Sequence, residues 1–158
     1  MRKLKLYLDT STISHLFAED TPEKMVDTNK LWGELAEDKY EVYISPLVVD
    51  EIKACDEPKC SQMLEKLEEI RYENLKPSSA VSRLAEEYLN GGVLKEKSRA
   101  DCLHIAFAVV ANCDIIVSWN FKHLVNYKTI NKVKIVNAIN HYREISIISP
   151  TMLIEEVD

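Results

Sequence analysis

Three acidic residues stand where a folded chain could gather their carboxylates. Asp9 follows a short apolar run, Glu51 interrupts an apolar helical stripe, and Asp101 opens an apolar helical segment. Carboxylates crowded at one site repel one another and raise one another's pKa unless a cation lies between them. Hard oxygen ligands favour Mg²⁺ or Mn²⁺. Such an ion can activate water and stabilise the charge that develops when a phosphodiester is hydrolysed.

Each acid also has an ordinary structural explanation. Asp9 fits the N-cap of a helix that starts at Thr10. Asp101 stands three residues after Ser98, which is the spacing of a capping box. Glu51 could lie at the edge of its stripe and reach water. No single acid decides between the explanations, but three acids that all point to one end of one sheet favour a shared cation.

The elements that would position these acids alternate between strands and helices. We predict strands at residues 3–8, 41–44, 114–118 and 145–148, and helices at residues 10–17, 22–38, 46–54, 58–71, 79–89, 99–112, 120–125, 128–142 and from 150 onward. Ser45 and Ser98 are the predicted caps of two of these helices. This alternation predicts an α/β fold, a three-layer α/β/α sandwich with a mainly parallel central sheet.

Ligand sites in such sheets lie beyond the carboxyl ends of the strands. Asp9 stands at the end of the first predicted strand, and Ser118 and Asn120 stand at the end of the strand at residues 114–118. The sequence therefore predicts that these residues share one crevice.

Composition favours one ordinary globular domain over residues 1–158. The hydrophobic fraction of 46% is enough for a core at this length. We find no signal peptide and no apolar run of membrane-spanning length, so we expect a cytoplasmic protein without a membrane partner. The four cysteines lack the spacing of a zinc or redox motif, and we expect them to be reduced and structural.

The net charge of −6 is unusual for a protein that binds nucleic acid. Residues 92–134, however, carry seven basic and three acidic side chains. This local excess is compatible with binding to a polyanion or with a merely solvated surface, and charge alone does not separate the two.

Four segments resemble the PIN-domain family, in the order that the family has them: residues 6–11, 44–52, 99–108 and 114–124. The third segment is the most specific, because Asp101 is followed three residues later by His104 and then by small apolar residues. The family includes the ribonuclease toxins of type II (VapBC-like) toxin–antitoxin systems.

The resemblance implies a metal-dependent endoribonuclease that cuts RNA. It assigns a catalytic role to four positions, Asp9, Glu51, Asp101 and Asn120, of which the first three would bind Mg²⁺ or Mn²⁺. Ser11 and Ser118 would be supporting polar groups. Asn120 departs from the Asp of many relatives, and because Asn carries no charge the number of bound ions, one or two, stays open.

Basic residues just before Asp101 are the expected RNA contacts, namely Lys95, Lys97 and Arg99. We interpret His104 as a hydrogen-bonded core residue rather than a general base. An antitoxin protein that presents Arg to the carboxylates is one expected partner. A homodimer through the helices at residues 22–38 and 58–71 is left open by the sequence.

Two other functions compete with this one. A catalytically weak or inactive PIN-like module that binds RNA or protein would explain Asn120 and the acidic net charge. A small-molecule α/β enzyme is disfavoured, because no glycine-rich phosphate loop follows the first strand.

Overall fold

A parallel sheet of five strands forms the centre of the computed structural model, which describes residues 2–155. The strands are β1 (Lys5–Leu8), β2 (Glu41–Ile44), β3 (Glu73–Asn74), β4 (Ile115–Val117) and β5 (Ser146–Ile148), in the order β3-β2-β1-β4-β5. Every neighbouring pair is parallel. The sheet confirms the predicted α/β fold.

Helices connect the strands, as expected when all strands run in one direction. They are α1 (Thr10–Ser14), α2 (Pro22–Ala36), α3 (Pro46–Lys53), α4 (Lys59–Leu67), α5 (Ser79–Asn90), α6 (Arg99–Val110), α7 (Tyr127–Ile139) and α8 (Pro150–Leu153), with 3₁₀ turns at His15–Phe17 and Glu96–Ser98. Within residues 2–155 no helix is both long and apolar enough to cross a membrane.

The order of the strands creates a switch point where the crevice was predicted. The chain leaves the central strand β1 towards β2 on one side and later adds β4 on the other side. Leu8 lies opposite Val117 in the parallel register of β1 and β4. The residues that follow these two strands, Asp9 and Ser118, therefore emerge side by side at the carboxyl edge of the sheet.

Helix α6 forms much of the core behind this edge. Its residues are apolar almost all round, and Cys102 and Ile105 are completely buried. The helix packs against α5. All four cysteines are unpaired, and Cys102 and Cys113 are buried as small apolar side chains, as predicted.

The predicted helix at residues 120–125 is wrong. The chain there makes a single turn, in which the Leu124 amide donates to the Asn120 carbonyl. The turn cannot continue as a helix, because Asn126 has an extended backbone and caps the next helix by accepting from the Thr129 amide.

Two smaller predictions also needed correction. Helix α4 ends at Leu67 and not near residue 71, because the chain then turns into the short edge strand β3. The side chains of Ser45 and Ser98 make no capping hydrogen bond. Ser98 ends a 3₁₀ turn and lacks the extended backbone of a cap, so the capping box with Asp101 does not form.

Candidate active site

Asp9 is a buried carboxylate at the end of β1. Only 4% of the residue is exposed. Ser11 Oγ donates to Asp9 Oδ1 at 2.6 Å, and Ser118 Oγ donates to Asp9 Oδ2 at 2.7 Å. The Thr12 amide also donates to Oδ1, at 3.3 Å, so Asp9 caps α1 as well. The side chain that was predicted to bind a metal therefore also caps a helix, so the two explanations of Asp9 are compatible.

The surroundings of Asp9 do not fully compensate its charge. Burial raises the pKa of the Asp9 carboxyl. The charge of His104 and the hydroxyls of Ser11 and Ser118 lower the pKa, but they offset only part of the effect of burial. A buried carboxylate whose desolvation is only partly offset would be stabilised by a further positive charge nearby.

Glu51 lies half-buried on α3 and faces the start of α1. Its Oε1 atom accepts hydrogen bonds from Thr10 Oγ1 at 2.9 Å and from His104 Nε2 at 2.5 Å. Burial raises the pKa of Glu51, but the hydrogen bonds and the charge of His104 outweigh burial, so the pKa is lowered overall. Both bonds use Oε1, which leaves Oε2 available to another ligand. The neighbouring Asp50 is exposed, as predicted.

His104 connects Glu51 to the interior of the sheet. Its Nδ1 atom lies 2.7 Å from the Tyr7 hydroxyl, which lies 2.8 Å from Ser45 Oγ. Tyr7 is completely buried and His104 is 2% exposed. Both ring nitrogens are hydrogen-bonded, which agrees with the interpretation of His104 as a core residue. This arrangement also explains Ser45, whose hydroxyl serves Tyr7 instead of capping α3.

Tyr7 and Thr10 were missed by the sequence analysis. Burial raises the pKa of Tyr7 well above its usual range, so its hydroxyl keeps a proton to donate. A tyrosine in an otherwise apolar strand was the available signal, since a buried hydroxyl needs a partner. The identity of that partner depends on residues far away in the sequence.

Asp101 lies in the first turn of α6 and is half-buried. Its Oδ2 atom lies 2.9 Å from His123 Nδ1. His123 is oriented in turn by Asn120, whose Oδ1 atom accepts from the His123 amide at 2.9 Å. Asn120 therefore uses its side-chain oxygen to close the turn after β4. The backbone amide of Asn120 donates to Ser118 Oγ at 2.9 Å.

Hydrogen bonds thus link Asp9 to Asp101, whereas Glu51 belongs to a separate group with Thr10, His104, Tyr7 and Ser45. The path from Asp9 to Asp101 runs through Ser118, Asn120 and His123. His104 lies on the same helix as Asp101 and is hydrogen-bonded to Glu51. Among residues 2–155, however, no three His, Cys, Asp or Glu side chains are close enough to bind one metal ion. The oxygen donors suit a hard divalent cation in kind.

The expected RNA contacts differ in their surroundings. Lys95 and Lys97 are exposed. Arg99 already has carboxylate partners, because Nε donates to Glu96 Oε1 at 2.7 Å and the guanidinium also pairs with Glu86 on α5. These two glutamates raise the pKa of Arg99.

Comparisons with known proteins relate the chain to others by structure and not by sequence. No family model matches the chain, and no curated protein matches it. A chain in the crystal structure of VapBC2 from Rickettsia felis, bound to a DNA fragment from their promoter, is similar with a TM-score of 0.56 and 13% identity. The match covers 92% of the present chain and 98% of the other.

The structure of VapBC-1 from nontypeable Haemophilus influenzae contains a second similar chain. The TM-score is 0.58 and the identity 16%, over 94% of the present chain and 99% of the other. At this identity the likeness concerns the fold. Together with the order and direction of the strands, it shows that the chain has the VapC-like PIN-domain fold that the sequence motifs predicted.

Proposed function

We propose that this protein is a metal-dependent endoribonuclease in which Asp9, Glu51 and Asp101 bind Mg²⁺ or Mn²⁺. The observation that carries the proposal is the hydrogen-bonded path at the carboxyl edge of the sheet, which joins Asp9, a buried carboxylate with a raised pKa, to Asp101. Glu51 is held separately by Thr10 and His104, and within residues 2–155 the second oxygen of Glu51 and of Asp101 accepts no hydrogen bond. This donor chemistry suits a hard divalent cation.

Neighbouring side chains orient the first two proposed ligands, Asp9 and Glu51. Ser11 and Ser118 fix both oxygens of Asp9. His104 and Thr10 orient Glu51 through Oε1, so that Oε2 could serve as a ligand. A bound divalent ion would supply an activated water and offset the charge that develops on the phosphate.

The second half of the site holds Asp101 in place. The His123 ring orients Asp101. Asn120 positions His123, because its Oδ1 atom accepts a hydrogen bond from the His123 backbone amide. Because Asn120 adds no charge, the three carboxylates are the charged ligands of the site, and they could neutralise one divalent ion but not two.

The biological role that we propose is that of a toxin controlled by an antitoxin. The fold is shared with chains from two VapBC structures, which supports this assignment. An antitoxin segment would occupy the crevice and present Arg to its carboxylates, since charge-assisted pairs of this kind are strong.

The function is tested by incubating the purified protein with RNA and Mn²⁺. We expect cleavage by the wild type and its loss in Asp101→Asn and Glu51→Gln. Asp50→Asn is the matched control, because it neutralises the exposed neighbour of Glu51 on the same helix and should cleave like the wild type. Equal cleavage by all four proteins would show that a contaminant or another site is responsible.

A second candidate function is a non-catalytic module that binds RNA or protein. Two observations favour it, the neutral Asn120 and the lack, within residues 2–155, of three metal-binding side chains close together. This alternative predicts that Mn²⁺ does not raise the melting temperature. A clear rise that disappears in Asp9→Asn would exclude it.

A further inference from the structure

A basic pocket opens beside the candidate active site. Its volume is about 370 Å³, and its lining includes Lys95, Lys97, Lys122, Lys132 and His123. The lysines come from three separate parts of the chain: the segment before α6, the turn after β4, and helix α7. The fold thus brings together charges that are up to 37 positions apart in the sequence.

The lysines of this basic pocket have no acidic partners among residues 2–155. None of the carboxylates in that range lines the pocket. In the part of the chain that the structure describes, Lys95, Lys97 and Lys122 form no ion pair, and the Lys132 ammonium donates only to the Gly92 carbonyl, at 3.1 Å. The nearby Glu96 is already bound to Arg99. Four clustered ammonium groups repel one another, and a bound anion would relieve that repulsion.

His123 forms the boundary between the basic pocket and the candidate active site. It lines the pocket, and its Nδ1 atom lies 2.9 Å from Asp101 Oδ2. An anion in the pocket would therefore be one side chain away from a proposed metal ligand. Such a position would suit a phosphate that neighbours the reacting one along a nucleic-acid strand.

We infer that the basic pocket binds backbone phosphates of the RNA strand that is cut in the crevice. The inference rests on the proposed function and specifies how the substrate is held. Lysine ammonium groups bind phosphate as point charges, so recognition here is independent of base sequence. Lys122 and Lys132 join the predicted contacts Lys95 and Lys97 in this pocket, whereas Arg99 pairs with two glutamates and is not part of the lining.

The test measures binding of a fluorescently labelled single-stranded RNA by anisotropy, in EDTA so that metal-dependent cleavage is suppressed. The variant Lys122→Gln/Lys132→Gln should bind roughly tenfold more weakly, and the slope of log affinity against log salt should become shallower by about 1.4. The matched control is Lys30→Gln/Lys134→Gln, which removes the same charge outside the pocket and should bind like the wild type.

A second variant, Lys95→Gln/Lys97→Gln, keeps the test decisive if Lys122→Gln/Lys132→Gln does not fold. Its residues precede α6 and are exposed, and it should show the same loss of affinity. Wild-type affinity and an unchanged salt slope in both lysine variants would overturn the inference. So would a wild-type protein that binds no RNA.

The inference and the proposed function can fail separately. If the wild type cleaves RNA with Mn²⁺ but neither lysine variant binds more weakly, the pocket is wrong and the nuclease stands. If the wild type binds RNA through these lysines but does not cleave it with Mn²⁺, the pocket stands and the nuclease is wrong.

Discussion

The Nε2 atom of His104 lies 2.5 Å from the Oε1 atom of Glu51, and the other ring nitrogen of His104 lies 2.7 Å from the Tyr7 hydroxyl. A fully buried tyrosine in the central strand thereby determines where a carboxylate stands at the edge of the sheet. The position of Glu51 depends on the core as well as on its own helix.

Tyr7→Phe tests this dependence. The change leaves His104 Nδ1 and Ser45 Oγ without their shared partner in the interior. We expect the free energy of unfolding to fall by about 1–3 kcal/mol, measured by urea denaturation. We also expect Mn²⁺-dependent RNA cleavage to fall, because His104 is less firmly oriented towards Glu51.

Tyr127→Phe is the control for this experiment. Tyr127 is 79% exposed, so removal of its hydroxyl should leave both stability and cleavage unchanged. If Tyr7→Phe were as stable and as active as this control, the hydrogen bonds of Tyr7 would contribute nothing to the site.

The stabilising contribution of Asp114 should be lost in acid. Arg2 donates to both of its carboxylate oxygens at 2.8 Å, and the Lys5 amide also donates to it at 2.8 Å. The hydrogen bond from Arg2, above all, holds the pKa of Asp114 well below its usual range. Because the pKa of Asp114 is lower in the folded protein than in the unfolded one, its contribution to stability is fully present above the unfolded pKa of about 3.9. The contribution is lost as the pH falls towards the folded-state pKa.

The comparison of wild type with Asp114→Asn makes this measurable. The midpoints of denaturation should differ clearly at pH 7, and the difference should shrink as the pH falls below about 4. A difference that stays constant from pH 7 to pH 2 would mean that the charge of Asp114 does not matter.

Asn120→Asp should strengthen metal binding. A carboxylate at this position can still accept from the His123 amide and keep the turn closed. It also adds a negative charge to the crevice, which we expect to raise the affinity for Mn²⁺ by roughly threefold or more. The measurement is a titration of melting temperature against Mn²⁺. Identical titrations of variant and wild type would place Asn120 outside the metal site.

The sequence was sufficient for the parts of the fold that depend on local pattern. The unalternating apolar strand β4 and the apolar helix α6 were both recognisable, because burial on all sides leaves a clear pattern. Glu51 stood out for the same reason, since it interrupts an apolar stripe. Strand β3 has only two residues and is too short to show any period.

The remaining details depend on partners that are distant in the sequence. The Ser45 hydroxyl binds Tyr7, 38 positions away, instead of capping its own helix. Arg99 pairs with Glu86, 13 positions away on another helix. Local spacing predicted a cap at Ser45, and a tertiary contact gives its hydroxyl a different partner. At Arg99 a tertiary contact adds a carboxylate partner that the sequence did not predict.

The central claim is most directly tested by isothermal titration of Mn²⁺ into the metal-free protein. We predict that the wild type and Asp50→Asn bind Mn²⁺ with the same affinity. Asp9→Asn, Glu51→Gln and Asp101→Asn should each bind it at least roughly tenfold more weakly, because each loses one charged ligand. Absence of binding to the wild type, or equal binding by all five proteins, would contradict the account.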